Sequence, residues 1–264
     1  MTARRLRIDL AYDGAPYAGF ARQPDQTTVQ GVLEDALSRV LEHPVDATCA
    51  GRTDRGVHAT AQVVHVDVDP PGPRGQKALT DLGVFRERID RMVGSAITLW
   101  SVSEVDTSFD ARFSATWRAY RYRLASLPAD PRFRHVVWHV GPNLDADAMH
   151  EAVQHLVGEH DYASFCRKAP GRHTRRRIDE AAVAPAPSGE LHVTIRGAAF
   201  CHQMVRSITG CLVEVGRGRQ TPGWLADVLA AQDRSVAGPV APPHGLTLEG
   251  VGYDDPLQDA PLGH

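Results

Sequence analysis

The chain has 264 residues, of which 42% are hydrophobic and 23% are charged, so it is long enough for one large globular domain or two ordinary ones. Its formal net charge of −3 excludes a protein coated in positive charge, and no stretch approaches eighteen uninterrupted apolar residues, which argues against a membrane-spanning helix. MTARRLRIDLAYDG, at the beginning, has no apolar run long enough for a signal peptide, so we expect a cytoplasmic protein.

Hydrophobic periodicity in the first hundred residues predicts both strands and helices. The helix that begins TTVQGV has an apolar stripe of helical spacing, and Thr27 with Gln30 has the spacing of a capping box. PPGPRGQ has the composition of a linker or surface loop. The predicted elements are strands at 5–14, 45–49, 61–68 and 97–105 and helices at 27–43 and 79–93.

The rest of the chain shows a looser version of this pattern. In the first strand, strict alternation places Tyr120 and Tyr122 on the same face. Asp145 is predicted to cap a helix that ends at Gly158, and Thr221 to cap a later helix. The predicted elements are a strand at 114–126, a helix at 145–158, a hairpin of 178–185 with 190–197, helices at 200–218 and 221–232, and a strand at 246–253.

The order of these elements predicts an α+β fold rather than a doubly wound sheet, because the steady strand–helix–strand rhythm is missing and one hairpin is explicit. We expect two similar subdomains of mainly antiparallel sheet, each with helices packed on one side. The expected division is 1–105 and 106–264, with the active-site cleft between the two parts.

The segment CAGRTDRGVHATAQVVH, at 49–65, places Asp54 between Arg52 and Arg55. Turn chemistry accounts for the glycines and the Thr-Asp pair, since Gly supplies positive φ and short polar side chains bond nearby backbone. It does not require two arginines beside the acid. Asp54 is therefore either a turn residue or a functional carboxylate, and the loop alone favours the first reading.

Arg206 shifts that balance, because MVRSI places a guanidinium within the apolar stripe of a predicted helix. A buried arginine requires a carboxylate partner, and Asp54 is the acid that would serve best. The second basic feature is RKAPGRHTRRR at 167–177, which carries Arg175, Arg176 and Arg177. Such a run is either a solvated loop or a loop that binds phosphates.

No metal or cofactor is expected. The histidines and cysteines lack the paired spacing of a zinc site, and the motifs of nucleotide-binding, zinc-protease and serine-hydrolase sites are missing from the sequence. The cysteines also lack CxxC spacing, which favours a reduced compartment without a disulfide framework. They are Cys49, Cys166, Cys201 and Cys211.

Four segments together carry a family resemblance. AGRTDRGVHATAQVVH resembles the signature of the tRNA pseudouridine synthase A family, and the other three segments follow the family order. They are YDGAPYAGFARQ, FSATWRAYRYRL and AFCHQMVRSITGCLVEVG, and the similarity extends over residues 5–253.

The resemblance implies an isomerase with the pseudouridine synthase fold that converts uridine to pseudouridine in the tRNA anticodon stem-loop, at tRNA positions 38–40. It also implies a homodimer that needs no cofactor. Asp54 then matches the catalytic aspartate, Arg52 the arginine associated with extruding the uridine, and Tyr120 the tyrosine that stacks on the base. Arg206 matches the arginine that pairs with the aspartate. The expected substrate-binding residues are Arg52, His58, Tyr120, Arg175, Arg176, Arg177 and Arg206.

The chain differs from the family pattern at two positions, and two other functions are alternatives. Arg55 stands where the family usually has a small residue, and Phe20 stands where a tryptophan is common. A glycoside hydrolase would need a second carboxylate beside the bond, which none of the four segments supplies. A tRNA-binding protein without activity is disfavoured because Asp54, Arg52, Tyr120 and Arg206 are all present. Whether Asp54 acts as nucleophile or as base is left open.

Overall fold

A computed structural model of the chain describes residues 4–68, 71–126, 130–167 and 173–253. The chain forms two compact units, one of Met1–Thr116 with Leu248–His264 and the other of Trp117–Thr247. The expected division at 105 coincides with the end of a strand, whereas the division in the structure lies eleven residues later, at Thr116. Leu248–His264 belong to the first unit, so a single boundary cannot divide the chain into the two units.

The first unit is built on an antiparallel sheet. Its strands are β1 (Arg4–Tyr12), β2 (Ala47–Cys49), β3 (His58–Val68), β4 (Ile97–Val105) and β10 (Leu246–Tyr253), of which all but the first two residues of β10 belong to this unit. Their order is β4-β1-β3-β10, and β2 pairs with β3. Ile8 of β1 lies opposite Val64 of β3 and Val102 of β4, so its side chain is fully buried.

The helices of this unit are α1 (Val29–Leu41), α2 (Pro73–Ala78) and α3 (Leu82–Val93). The predicted capping box is wrong by one residue, because Thr28 is the cap and its hydroxyl accepts the Gly31 N–H. The linker prediction is also wrong for its last four residues, 73–76, because Pro73 begins a short helix, its fixed φ being suited to the first helical position.

The strands of the second unit follow the order β5-β9-β8-β7, with β6 parallel to β5. Its strands are β5 (Ala115–Ala125), β6 (Trp138–His139), β7 (Gly158–Asp161), β8 (Arg175–Pro185) and β9 (Leu191–Gly197), of which all but the first two residues of β5 belong to this unit. The predicted hairpin is confirmed, since β8 and β9 are antiparallel with Val183 opposite Val193.

The helices of the second unit are α4 (Ala146–Gln154), α5 (Met204–Gly216) and α6 (Trp224–Ala231). Asp145 caps α4 as predicted, but the helix ends at Gln154 because Gly158 already begins β7. The prediction that Thr221 caps α6 is wrong, because the cap is Gly223, which has no side chain to bond. Nearly every residue of α5 is buried, so this helix forms the centre of its unit.

Both units therefore combine antiparallel strands with packed helices, and the fold is α+β as predicted. Across the part of the chain that the structure describes, no helix has the length and apolar character needed to cross a membrane.

Candidate active site

Asp54 lies in the loop between β2 and β3, and a buried network of hydrogen bonds holds this loop in place. Gln62, which is fully buried, donates to the Gly51 carbonyl oxygen over 2.7 Å and to the Tyr12 hydroxyl oxygen over 3.2 Å. The Tyr12 hydroxyl is 2.8 Å from the Thr53 hydroxyl. Because Thr53 directly precedes Asp54, the network fixes the backbone that carries the half-buried carboxylate.

The segment YDGAPYAGF packs against the same loop, and its glycines permit a close approach. A Cβ at Gly14 would lie 2.1 Å from the Val57 carbonyl oxygen, and one at Gly19 would lie 3.1 Å from the Thr53 carbonyl oxygen. Gly19 also has a φ of +108°, which side chains disfavour. The Phe20 N–H donates to the Thr53 carbonyl over 3.1 Å. This segment therefore supports the Asp54 loop, a role that sequence reasoning missed although the glycines were visible.

His58 lies at the beginning of β3 and is 5% exposed. Its Nδ1 accepts the Gly14 N–H over 3.1 Å and is also 3.1 Å from Asp13 Oδ1. The side chain thus connects the first segment to β3 and lies inside the unit.

The arginines beside Asp54 are both exposed. Among the described residues, the Arg52 side chain has no hydrogen bond or ion pair, which leaves its guanidinium accessible to a phosphate. Arg55 donates to Gln26 Oε1 over 3.0 Å, while the turn beside it is closed by the Val57 N–H donating to the Asp54 carbonyl. Arg55, which stands where a small residue was expected, is therefore accommodated at the surface.

A buried carboxylate fixes the entrance to β2. Glu34 of α1 is 4% exposed, and its carboxylate accepts the Ala47 N–H over 2.9 Å and the Arg22 Nε over 2.7 Å. Gln30 donates to the same carboxylate and to the Ala47 carbonyl. These contacts join α1 to the strand that leads into the loop, and nothing in the sequence pattern distinguished Glu34 from an exposed helical acid.

In the second unit, Tyr120 lies on β5 and is half-buried. Its ring meets Phe200 edge to face, with 5.1 Å between ring centroids and an interplanar angle of 82°. This packing restrains the ring that is expected to stack on the base. Two nearby arginines that could have bound phosphate are engaged internally, because Arg118 donates to the Ala198 carbonyl and Arg123 forms a bidentate pair with Glu190.

Arg206 lies on α5 and is half-buried. Its Nε donates to the Ala241 carbonyl over 2.8 Å, and the Ala241 N–H donates to the Arg206 carbonyl over 3.1 Å. A Cβ at Gly210 would lie 1.7 Å from the Pro239 carbonyl oxygen, so only glycine lets this segment lie against the helix. The segment in turn orients the guanidinium. The pairing of Arg206 with Asp54 stays a prediction.

The same segment is anchored from β5. The Tyr122 hydroxyl donates to the Pro242 carbonyl over 2.7 Å, and burial raises the pKa of this hydroxyl far above its usual value. A Cβ at Gly245 would lie 2.5 Å from the Tyr122 ring. Two strictly required glycines and a buried tyrosine therefore surround the stretch that Arg206 binds.

The prediction that Arg175, Arg176 and Arg177 lie in a loop is wrong, because all three belong to β8 and pair with residues of β7, a strand that was not predicted. Strand alternation separates them. Arg175 and Arg177 are exposed, and each faces an acid, Glu159 or Asp179. Arg176 is half-buried and donates to the His173 and Arg175 carbonyls. Lys168 and Arg172 of this stretch lie outside the described residues.

A metal site was not expected, and among the residues that the structure describes no group of three or more His, Cys, Asp or Glu has the arrangement to hold an ion.

Comparison with known proteins identifies the class. The family described as tRNA pseudouridine synthase matches residues 10–114 and 152–254. The chain belongs to this family, and it is an isomerase that converts uridine to pseudouridine in tRNA.

Several relatives are each named tRNA pseudouridine synthase A. The Streptomyces avermitilis protein is 44% identical over 256 residues, which cover 94% of this chain and 88% of that protein. The Frankia casuarinae protein is 46% identical over 255 residues, which cover 94% of this chain and 89% of that protein. The Brevibacillus brevis protein is 42% identical over 251 residues, which cover 95% of this chain and all of that protein.

Proposed function

We propose that this enzyme modifies uridines of the tRNA anticodon stem-loop, at tRNA positions 38–40, and that Asp54 is its essential carboxylate. The most direct argument for the role of Asp54 is the packing and hydrogen bonding that hold its loop in place. The Gln62 network and the close approaches of Gly14 and Gly19 fix the backbone on either side of the acid. This packing keeps the carboxylate at a fixed position, which a catalytic acid requires.

The reaction explains why one carboxylate is sufficient. The bond from N1 of uracil to ribose C1′ breaks, the base rotates, and C5 bonds to the same carbon while its proton moves to N1. Nothing is oxidised, reduced or hydrolysed. Asp54 can serve as nucleophile at C1′ or as base toward the 2′ hydrogen, and either role requires the ionised group at a fixed position.

The remaining residues would bring the base to Asp54. A uridine in a helical stem must be extruded from its stack, at a cost of a few kcal/mol. Arg52, whose guanidinium is accessible, would hold a backbone phosphate, and Tyr120 would stack on the extruded base. The burial of His58 supports a role in positioning the loop rather than contact with RNA. Arg206 would pair with Asp54, which a double-mutant cycle on turnover can test.

Recognition of the tRNA would use the exposed arginines of β8. Arg175 and Arg177 project from the same face of the strand, and RNA phosphates would replace their acidic partners at little cost because both guanidinium groups are exposed. We further propose that the enzyme acts as a cytoplasmic homodimer, which sedimentation velocity of the purified protein and microscopy of a tagged chain would test.

Asp54→Asn tests the central claim, because it keeps the size of the side chain and removes its charge. We expect tRNA binding within about twofold of wild type and no detectable pseudouridine. Asp25→Asn is the matched control, since Asp25 is an exposed loop residue and asparagine tolerates its positive φ equally well.

Mapping pseudouridine in tRNA treated with each variant reports both activity and position. Substantial turnover by Asp54→Asn would remove Asp54 from its role. Modification outside the anticodon stem-loop would refute the proposed positions while leaving the role of Asp54 intact.

A further inference from the structure

Two of the four cysteines lie side by side in the second unit, although 34 residues separate them in the sequence. Cys166 follows a 3₁₀ turn, Ala163–Phe165, and is fully buried, while Cys201 precedes α5 and is half-buried. The Cys201 Sγ lies 4.0 Å from the Thr174 carbonyl oxygen, and the two cysteine thiols are near enough for each to shift the pKa of the other. One residue beyond each cysteine, the Arg167 N–H donates to the His202 carbonyl over 3.2 Å, so the two backbones are adjacent.

The surroundings make the two thiols unequal. The neighbouring Cys166 thiol lowers the pKa of Cys201, and the Arg176 guanidinium lowers it further, against opposing effects of burial and Asp161. The pKa of Cys166 is raised by the neighbouring Cys201 thiol and by burial. A thiolate is the reactive form of cysteine, so Cys201 is the nucleophile of the pair and Cys166 is its neutral neighbour.

We propose that Cys166 and Cys201 form a redox-active dithiol, which a hydroperoxide oxidises to an intramolecular disulfide. The Cys201 thiolate attacks one peroxide oxygen, the O–O bond breaks, and hydroxide leaves, giving a sulfenic acid at Cys201. The Cys166 thiol then attacks that sulfur, forms the S–S bond and releases water. The two sulfurs together lose two electrons to the peroxide.

This site adjoins residues of the same unit that have proposed roles. Phe200, which packs on Tyr120, directly precedes Cys201, and the Met204 N–H that begins α5 donates to the Cys201 carbonyl. Closing the disulfide draws the two sulfurs together and would displace both contacts. We therefore expect oxidation to lower turnover of tRNA reversibly, an effect that rests on the proposed role of Tyr120.

The test is to treat the purified full-length protein with hydrogen peroxide, block free thiols under denaturing conditions, and identify the cysteines by peptide mass spectrometry. Wild type should show the 166–201 disulfide and lose most of its turnover, and dithiothreitol should restore both. Cys166→Ser should stop at the sulfenic acid of Cys201, which dimedone traps. Cys201→Ser should form neither product.

Cys211→Ser is the matched control, because Cys211 is buried, its thiol accepts the Gly238 N–H, and burial raises its pKa to about 11. This variant should oxidise at the 166–201 pair as wild type does. Oxidation of Cys211 as fast as Cys201, or the absence of a 166–201 disulfide in wild type, would overturn the proposal. A disulfide that forms without loss of turnover would refute only the link to catalysis. Because the mass measurement needs no tRNA, it stands even if the proposed role of Asp54 fails.

Discussion

Gln62→Leu is the sharpest test of how the Asp54 loop is held. Leucine keeps most of the buried volume but removes both hydrogen-bond donations, to the Gly51 carbonyl and to the Tyr12 hydroxyl. It also removes the acceptor of the Gly51 N–H. Leaving a buried polar group unsatisfied costs about 1–3 kcal/mol, so with one or two groups stranded we expect a loss of about 2–4 kcal/mol in the free energy of unfolding.

The same change should impair catalysis beyond its effect on stability. If the loop moves by about 1 Å, turnover should fall on the order of a hundredfold. Ile89→Ala is the control, because Ile89 is a fully buried residue of α3 and its truncation costs a similar 2–5 kcal/mol. Urea denaturation gives the stability of each variant, and single-turnover kinetics on tRNA give the rate per folded molecule. If both variants have the same rate, the network has no role in positioning Asp54.

Two further predictions concern charge. Arg175→Glu combined with Arg177→Glu should weaken tRNA binding. It should also reduce the slope of log affinity against log salt concentration by roughly 1.5, as expected for two lost phosphate contacts, whereas Arg132→Glu should leave this slope unchanged. Equal slopes in filter binding across a salt series would contradict this. His65 is buried, its Nδ1 accepts the Ala111 N–H, and burial followed by the Arg5 charge lowers its pKa. The unfolded chain therefore binds the proton first, so the free energy of unfolding should decrease as the pH falls below about 6.5, and His65→Gln should show a smaller decrease in urea titrations between pH 7 and 5.

The strongly periodic elements were readable from the sequence. The strand Ile97–Val105 and the strand Leu246–Tyr253 have the predicted bounds, because their apolar alternation is bracketed by turn residues. Predictions failed where two neighbouring residues could each cap the same helix, or where the strand that pairs with a segment was not predicted. Thr27 and Thr28 are both capable caps, and only the tertiary position of α1 decides between them.

The arginines of β8 show the second kind of failure. RRR in a stretch with Gly and Pro has no apolar alternation, so local pattern predicts a loop. The strand forms because Arg175–Arg177 pair with Glu159–Asp161 of β7, which is itself too short and polar to be recognised. The identity of the candidate residues could therefore be inferred, whereas their division into two exposed side chains and one half-buried side chain could not.

The residues that hold the candidate site residues in place were the hardest to identify from the sequence, and the reason is physical. Asp54 and Arg206 attract notice because their charge conflicts with their surroundings. Their supports are common residue types whose roles depend on distance: Gly14 and Gly19 against the Asp54 loop, and Gly210 against the stretch that binds Arg206. In an isomerisation that needs no external reactant, catalysis depends chiefly on geometry, so close backbone packing is where such a chain should be least tolerant of change. The glycines are consequently as informative about this enzyme as the charged residues they hold in place.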